Sequence, residues 1–327
     1  VRRRVRLGPG PVPLLAGPHM KSSYRIFSLS GSTDLAKRVA DHLATDLGAL
    51  HNTVFSDGEV HCRFGEPLRG RRVVVLGQVN APYEKLFELL VTLDAARRAA
   101  AQEIVCVAPY LPHSRQERRD KEGTSVTARL LADFLQLAGA HRLITIDLHS
   151  PAIEGFYTIP VDHLDMSQEF CRHIHARYGT QDLCICSPDL GGVKRARKMK
   201  NLLNANMAVI EKERLRPNQV ASMEIVGDVK AMHVIIVDDI VDTAGTLCKA
   251  ADMVMQAGAL SVAACCTHGV LSGAAVRNIG DSRLEQVVVT DTIKLRESHP
   301  KIHTVSCSGL LARAIERLGD NECTTSP

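Results

Sequence analysis

Short apolar runs rich in β-branched residues recur along the chain, at Arg72–Leu76, Ile104–Ala108, Leu143–Ile146, Leu183–Cys186, Val234–Val237, Val262–Cys266 and Gln286–Val289. Their apolarity is continuous rather than alternating, the pattern of strands covered on both faces. Helix-period stretches lie between many of them, including Tyr83–Ala101, Thr127–Ala138 and Thr246–Gln256. This alternation of short strands and amphipathic helices predicts an α/β fold built on parallel sheets.

With 327 residues the chain is long for a single core. The rhythm of strands divides it into two similar halves, residues 21–164 and 165–306. A closing segment, 307–327, carries a last helix at Gly309–Leu318, which could pack on either half. Residues 1–20 are rich in Gly, Pro and Arg and lack hydrophobic periodicity. They read as a disordered leader, a vector-derived remnant in preference to an Arg-rich organelle-targeting segment.

Composition removes several functions. No apolar run reaches the roughly 18 residues needed to cross a bilayer. The net charge of +4 is matched by the four arginines of the leader, Arg2, Arg3, Arg4 and Arg6, so the body is neutral. Without Trp, and with few other aromatics, it also lacks stacking platforms for nucleic acid. The ten cysteines sit mostly in apolar runs with no C-x-x-C spacing, as buried thiols of a reducing compartment do.

Ligands of open parallel sheets gather at the carboxyl ends of strands. The strongest candidate there is the run from His233 to Thr246. An apolar strand leads into the acids Asp238 and Asp239, then Asp242, Thr243, Ala244, Gly245 and Thr246 open a helix. Backbone N–H groups in such a small-residue loop form a phosphate site, and the acids can hold ribose hydroxyls. Asp147 and His149, two apart at the next strand end, read as leaving on one side, a neutral imidazole with a carboxylate beside it.

Asp189 precedes a Gly-Gly turn and a basic helix, a place for a metal-binding acid. Lys212 and Arg214 follow another short strand and alternate with Glu213, which alone reads as a solvated charge cluster. The segment Tyr110–Lys121, with Arg115, Gln116 and Asp120, is too charged for a core. It is either an exposed connection or an arm closing over a polyphosphate. Phe55–Glu59, FSDGE, forms an Asp-Gly turn in which Phe55 could stack on a purine while Asp57 and Glu59 accept from its amine.

In this order the strings resemble the ribose-phosphate pyrophosphokinase family, from about Ile26 to Leu318. The matching motifs are Phe55–Glu59, Ser114–Gln116, Thr145–His149, Ser187–Gly192, Lys212–Arg214, Val237–Thr246 and Thr267–Gly269. The resemblance implies two tandem phosphoribosyltransferase-like (type I) domains, each with a mainly parallel sheet flanked by helices. It also implies transfer of pyrophosphate from ATP to the 1-hydroxyl of ribose 5-phosphate.

By the same resemblance, Phe55, Asp57, Glu59, Arg115, Gln116, Asp120 and His149 would bind ATP, the first half being the ATP side. His149 and Asp189 would hold Mg²⁺. Lys212, Arg214 and Arg115 would act at the transferring group. Arg214, Asp238, Asp239 and Asp242 to Thr246 would seat ribose 5-phosphate on the second half. A cytoplasmic homo-oligomer, a hexamer of dimers, would follow, without nucleic-acid or membrane partners.

Some positions depart from the family pattern. Ala244 stands where Gly or Cys is common, Leu190 where a small residue is usual, and Glu117 where Asp is usual. Glu122–Ser125 lacks the customary Arg and Pro, Pro67 replaces a common Ser, and the chain ends NECTTSP. In members activated by phosphate and inhibited by ADP, such regions help to form the regulatory site. The departures therefore bear on control rather than on catalysis, and Arg69 remains as the regulatory candidate.

Two rival readings are weaker. A phosphoribosyltransferase would share the Asp238–Thr246 loop but has no use for FSDGE or the Ser114–Gln116 loop. A catalytically silent synthetase-associated subunit would alter positions that are intact here: Arg115, His149, Asp189, Lys212 and Arg214.

Overall fold

The computed structural model describes residues 24–80, 83–179, 181–216 and 219–319, without the side chains of 212–223. The leader at 1–20, Cys323 and the end of the tail lie outside the described residues, as do the side chains of Lys212 and Arg214.

The first half is built on β1 (Tyr24–Ser28), β4 (Arg72–Leu76), β5 (Glu103–Val107), β6 (Arg142–Ile146) and β7 (Val161–Leu164), in that spatial order and all parallel. Between β1 and β4 the chain makes α1 (Thr33–His42) and an antiparallel hairpin, β2 (Leu50–Val54) and β3 (Val60–Phe64). The helices α2 (Glu84–Arg98) and α3 (Thr127–Ala138) complete the crossovers. Val73 to Leu76 and Ile104 to Val107 are buried throughout, because helices cover both faces of the sheet.

In the second half, β8 (Leu183–Ser187) follows α4 (Ser167–Tyr178), and α5 (Val193–Leu203) leads to β9 (Asn206–Arg216) and β10 (Gln219–Val226). Then come β11 (His233–Val241), α6 (Gly245–Gln256), β12 (Ser261–Gly269), α7 (Ala275–Asp281), β13 (Val287–Thr290), β14 (Ile302–Val305) and α8 (Ser308–Gly319). The sheet order is β10-β9-β8-β11-β12-β13-β14, parallel except for the β9–β10 hairpin.

The halves share apolar contacts rather than meeting across a polar seam. One core cluster joins Ile26, Leu35 and Val39 to Ile174, Ile185, Leu311 and Ile315. The last helix, α8, packs on α1 of the first half. Each large aliphatic side chain buried there contributes about 1.5–3 kcal/mol, so the two strand-end edges are held in one fixed relation.

Two sequence expectations need correction. Lys212 and Arg214 do not follow a short strand: they lie inside β9, extended because it pairs with β10, with Lys212 opposite Met223 and Arg214 opposite Val220. Asp147 and His149 do not leave β6 on one side, because β6 ends at Ile146 and Asp147 has φ +39. That left-handed residue breaks the two-residue period.

Candidate active site

The carboxyl ends of β6 and β11 meet across the two halves. There His149 Nδ1 lies 2.8 Å from Asp239 Oδ2. Asp239 also receives Arg195 Nη1 at 3.4 Å on its other oxygen, and the same nitrogen lies 3.6 Å from Asp238 Oδ1. Arg195 comes from the first turn of α5, and its side chain is only 18% exposed. A largely buried guanidinium thus neutralises part of an acid pair of which Asp239 is buried and Asp238 partly exposed, an arrangement in which removing one member leaves an uncompensated charge.

The electrostatics divide the pair. Burial works against ionising Asp239, but the hydrogen bond from His149 and the charge of Arg195 outweigh it and hold its carboxyl well below the usual range. Burial, and then the ionised neighbour, push Asp238 the other way. The hydrogen bond to Asp239 raises the His149 imidazole against the opposing effect of burial. With Nδ1 held by a carboxylate, Nε2 has no protein partner among the described residues.

Beneath this cluster the halves are pinned by polar contacts. Thr267 donates its hydroxyl to Asp147 Oδ2 at 2.6 Å. His268 Nε2 lies 3.1 Å from the Ile146 carbonyl and 3.2 Å from that of Asp147, and its Nδ1 is 2.9 Å from Thr292 Oγ1. Both neighbours of Nε2 are carbonyls, so Nε2 carries the proton and Nδ1 accepts from the threonine. Burial depresses the His268 imidazole to about 4, keeping it neutral. The carboxylate beside His149 is therefore Asp239, while Asp147 is turned into this buried support.

The loop after β11 has the form of an anion site. Ala244 adopts φ +61, and α6 begins at Gly245 with no side chain capping its N-terminus. Its first N–H groups remain available for a phosphate. Thr243 and Thr246 are exposed, and Asn278 donates to the Thr243 carbonyl at 2.9 Å. Asp242 accepts from Ser272, and from Arg115 Nη1 at 2.9 Å. The Ser272 hydroxyl, then Arg115, lower the Asp242 carboxyl. Arg115, which the family pattern assigns to ATP, thus reaches the loop assigned to ribose 5-phosphate.

Asp189 is exposed after β8, and its Oδ1 accepts from Gly192 N–H at 3.1 Å. Gly192 is needed there, because a Cβ would sit 2.6 Å from Ser187 Oγ. No contact joins Asp189 to His149, and no group of three or more metal-ligating side chains occurs among the described residues. What is present, an imidazole with Nδ1 donated to a carboxylate and a separate exposed acid, suits a cation that takes most of its ligands from water and substrate phosphates.

The FSDGE segment forms the turn of the β2–β3 hairpin. Phe55 N–H donates to the Glu59 carbonyl at 2.9 Å, Asp57 accepts from Glu59 N–H at 3.0 Å, and Gly58 supplies φ +92. Phe55 is 51% exposed, with its ring centroid 6.1 Å from that of His61. The structure does not bring this hairpin to the acid pair. Gln116 and Asp120 are exposed on the Arg115 loop. Arg69 lines a separate 350 Å³ cavity with Arg63, Glu66 and Pro67.

Sequence reasoning overlooked Arg195 and the inward role of His268. Arg195 sits in a run of basic residues that reads as a solvated helix face, and only its position three after Gly192 hints otherwise. His268 lay within a quoted motif without a role.

Two family models match. One, described as the N-terminal domain of ribose phosphate pyrophosphokinase, covers residues 24–139, and a phosphoribosyl synthetase-associated domain covers 204–326. Ribose-phosphate pyrophosphokinase 1 of Listeria innocua is 41% identical over 315 residues, spanning 95% of this chain and 99% of that protein. The ribose-phosphate pyrophosphokinase of Bacillus cereus is 41% identical over 307 residues, 93% of this chain and 96% of that one. Among solved structures, phosphoribosylpyrophosphate synthetase from Mycobacterium smegmatis superposes with a TM-score of 0.87 at 34% identity, covering 92% of this chain and all of that one.

Proposed function

The chain belongs to the ribose-phosphate pyrophosphokinase family, and from that membership we propose how its residues divide the work. It is an enzyme that transfers the pyrophosphoryl group of ATP to the 1-hydroxyl of ribose 5-phosphate, giving 5-phosphoribosyl 1-pyrophosphate and AMP. The observation that carries the assignment of residues is the His149–Asp239 hydrogen bond, which brings the strand ends of the two halves together.

The second half, 165–306, holds ribose 5-phosphate. Its phosphate sits on the uncapped N-terminus of α6 with Thr243, Ala244, Gly245 and Thr246 around it, and Asp238 and Asp242 accept from the ribose hydroxyls. Asp239 has both oxygens engaged inside the protein, so it positions His149 and Arg195. The first half, 21–164, presents ATP. Phe55 stacks on adenine, Asp57 and Glu59 accept from its amine, and Arg115, Gln116 and Asp120 line the polyphosphate.

His149 Nε2 and Asp189 hold Mg²⁺, which when bound offsets charge on the phosphates. The transfer needs in-line placement and charge stabilisation more than covalent chemistry. Arg115, with Lys212 and Arg214 on β9, supplies cations around the moving group. Arg115 is suited to closing the site, because it already links the ATP-side loop to Asp242.

The exposed apolar residues Phe87 and Phe134, with Leu137 72% exposed, mark the outer face of α2 and α3 as the surface for self-association. The nine described cysteines are free thiols, eight of them buried, which fits the reducing cytoplasm. No helix among the described residues is long and apolar enough to cross a membrane.

The test is AMP release from ATP plus ribose 5-phosphate with Mg²⁺. Turnover should require both substrates and stop on chelation. AMP formed from ATP alone at the same rate would defeat the reading.

A further inference from the structure

The backbone just before His149 is held by side chains that have no part in the substrate contacts described above. Asp147, left-handed at φ +39, turns the chain out of β6. The next residue, Leu148, is 4% exposed and packs in the core of the first half. Its N–H therefore needs a partner inside the protein.

That partner is the imidazole of His163 on β7, whose Nε2 accepts from Leu148 N–H at 2.8 Å. An N–H can bond only to a ring nitrogen that keeps its lone pair, so the proton of this imidazole is on Nδ1. Nδ1 lies 2.6 Å from Oε1 of Glu154, on the short 3-10 helix Pro151–Phe156. The carboxylate thus selects the tautomer that leaves Nε2 as the acceptor. Asp162, the neighbour of His163 on β7, is engaged by Arg142 at 2.9 Å.

The same peptide unit is held at its other end. The Asp147 carbonyl lies 3.2 Å from His268 Nε2, which comes from β12 of the second half. Two imidazoles therefore grip the Asp147–Leu148 peptide, His268 at its C=O and His163 at its N–H. A peptide is planar, so holding both ends fixes its orientation and leaves few soft torsions before the His149 side chain. Asp147 is tied further, by its N–H to the Leu164 carbonyl at 2.9 Å and by its carboxylate to Thr267 at 2.6 Å. A left-handed non-glycine residue persists where its surroundings over-determine it, and such places gather at functional sites.

We propose that His163 is a positioning residue for the transfer. With Glu154 fixing its tautomer, it sets the peptide from which His149 projects, and with it the direction of His149 Nε2. His163 acts through the Leu148 amide and not by contact with substrate. The inference rests on the role given to His149 above and deepens it. Loss of the acceptor would also leave a buried N–H unpaired, so a lower Tm alone would not identify this role.

The experiment compares two variants of the full chain that both lack the ring. His163→Leu fills the space but accepts nothing, whereas His163→Gln brings an amide oxygen to the place of Nε2. Two readouts are taken: the His149 ring resonances without metal, and a Mg²⁺ titration of AMP release. In His163→Leu we expect shifted His149 resonances and about tenfold more Mg²⁺ for half-maximal turnover, with the ribose 5-phosphate KM unchanged. His163→Gln should recover most of both. If His163→Leu costs the fold, Glu154→Ala carries the test, with smaller changes in the same direction. In a His149→Ala background, a residue acting through His149 should have no further effect on turnover. Equal losses in the two backgrounds, unchanged His149 resonances, or a glutamine no better than the leucine would each overturn the proposal. If His149→Ala itself leaves the Mg²⁺ titration unaltered, the metal role of His149 fails. The positioning is then decided by the resonances: a shift in His163→Leu that His163→Gln reverses sustains it.

Discussion

His149 Nδ1 and Asp239 Oδ2 lie 2.8 Å apart across the two halves of the chain. The bond fixes the tautomer that leaves Nε2 unprotonated, and in the metal role proposed for His149 a carboxylate partner would typically account for about 10- to 100-fold in metal affinity or activity. Asp239→Asn should therefore raise the Mg²⁺ concentration for half-maximal activity by roughly that factor. A Mg²⁺ titration of turnover checks it. If the ribose 5-phosphate KM takes the change instead, Asp239 contacts the sugar.

Arg195 should matter to the fold as well as to the site. It is the cation shared by Asp238 and Asp239, at 3.6 and 3.4 Å. Arg195→Met would leave the buried Asp239 beside a partly exposed Asp238, and breaking a buried pair costs up to about 3–5 kcal/mol. Urea unfolding should show a loss of that order, with Arg195→Lys recovering part of it. An unchanged midpoint for Arg195→Met would mean that water already screens the acids.

The Arg115–Asp242 pair should behave in the opposite way. It is 2.9 Å long but nearly half-exposed on the arginine side, so its worth to stability is about 1 kcal/mol or less. If Arg115 stabilises charge on the moving group, Arg115→Ala should lower kcat by at least about 100-fold with little change in Tm. Full turnover in that variant would remove Arg115 from the mechanism.

Phe55 is half-exposed at the hairpin tip and has no core to support. Stacking of a base on an aromatic ring is worth roughly 1–3 kcal/mol. Phe55→Ala should therefore raise the KM for ATP by about 5- to 150-fold, leaving that for ribose 5-phosphate and the melting temperature unaltered. Equal effects on both substrates would move the adenine elsewhere.

The legible parts of the chain were those where one physical signal dominates. Arg72–Leu76 and Thr127–Ala138 match β4 and α3 because buried parallel strands and amphipathic helices write themselves as apolar runs and periods. The β2–β3 hairpin was read only as a turn, since LHNTV and VHCRF mix polar residues on strands with one exposed face. Asp238 to Thr246 stood out because a strand, acids and small residues occur together. Arg195 did not, because burial of one arginine among several on a basic helix depends on the acid pair of a different strand. The partner of His149 was misplaced for a similar reason: the backbone turns at Asp147, and the true carboxylate is 90 residues away.

His268 gives the fold a defined acid limit. Its imidazole is fully enclosed, bonded to Thr292 and to the Ile146 and Asp147 carbonyls, and burial depresses it to about 4. In the unfolded chain the same group titrates near its ordinary value, about 6.5. The unfolded state therefore binds the extra proton first. The contribution of neutral His268 is complete above pH 6.5 and declines as pH falls towards about 4. At one pKa unit per 1.36 kcal/mol, the loss across that window is on the order of 3 kcal/mol. His268→Gln keeps an N–H donor for the carbonyls but cannot titrate. It should be less stable than wild type at pH 8, yet its stability should fall less between pH 6.5 and 4. Urea midpoints at a series of pH values would show the two curves converging. Parallel curves would mean that His268 is protonated in the folded chain, with its charge accommodated by the carbonyls and by Asp239.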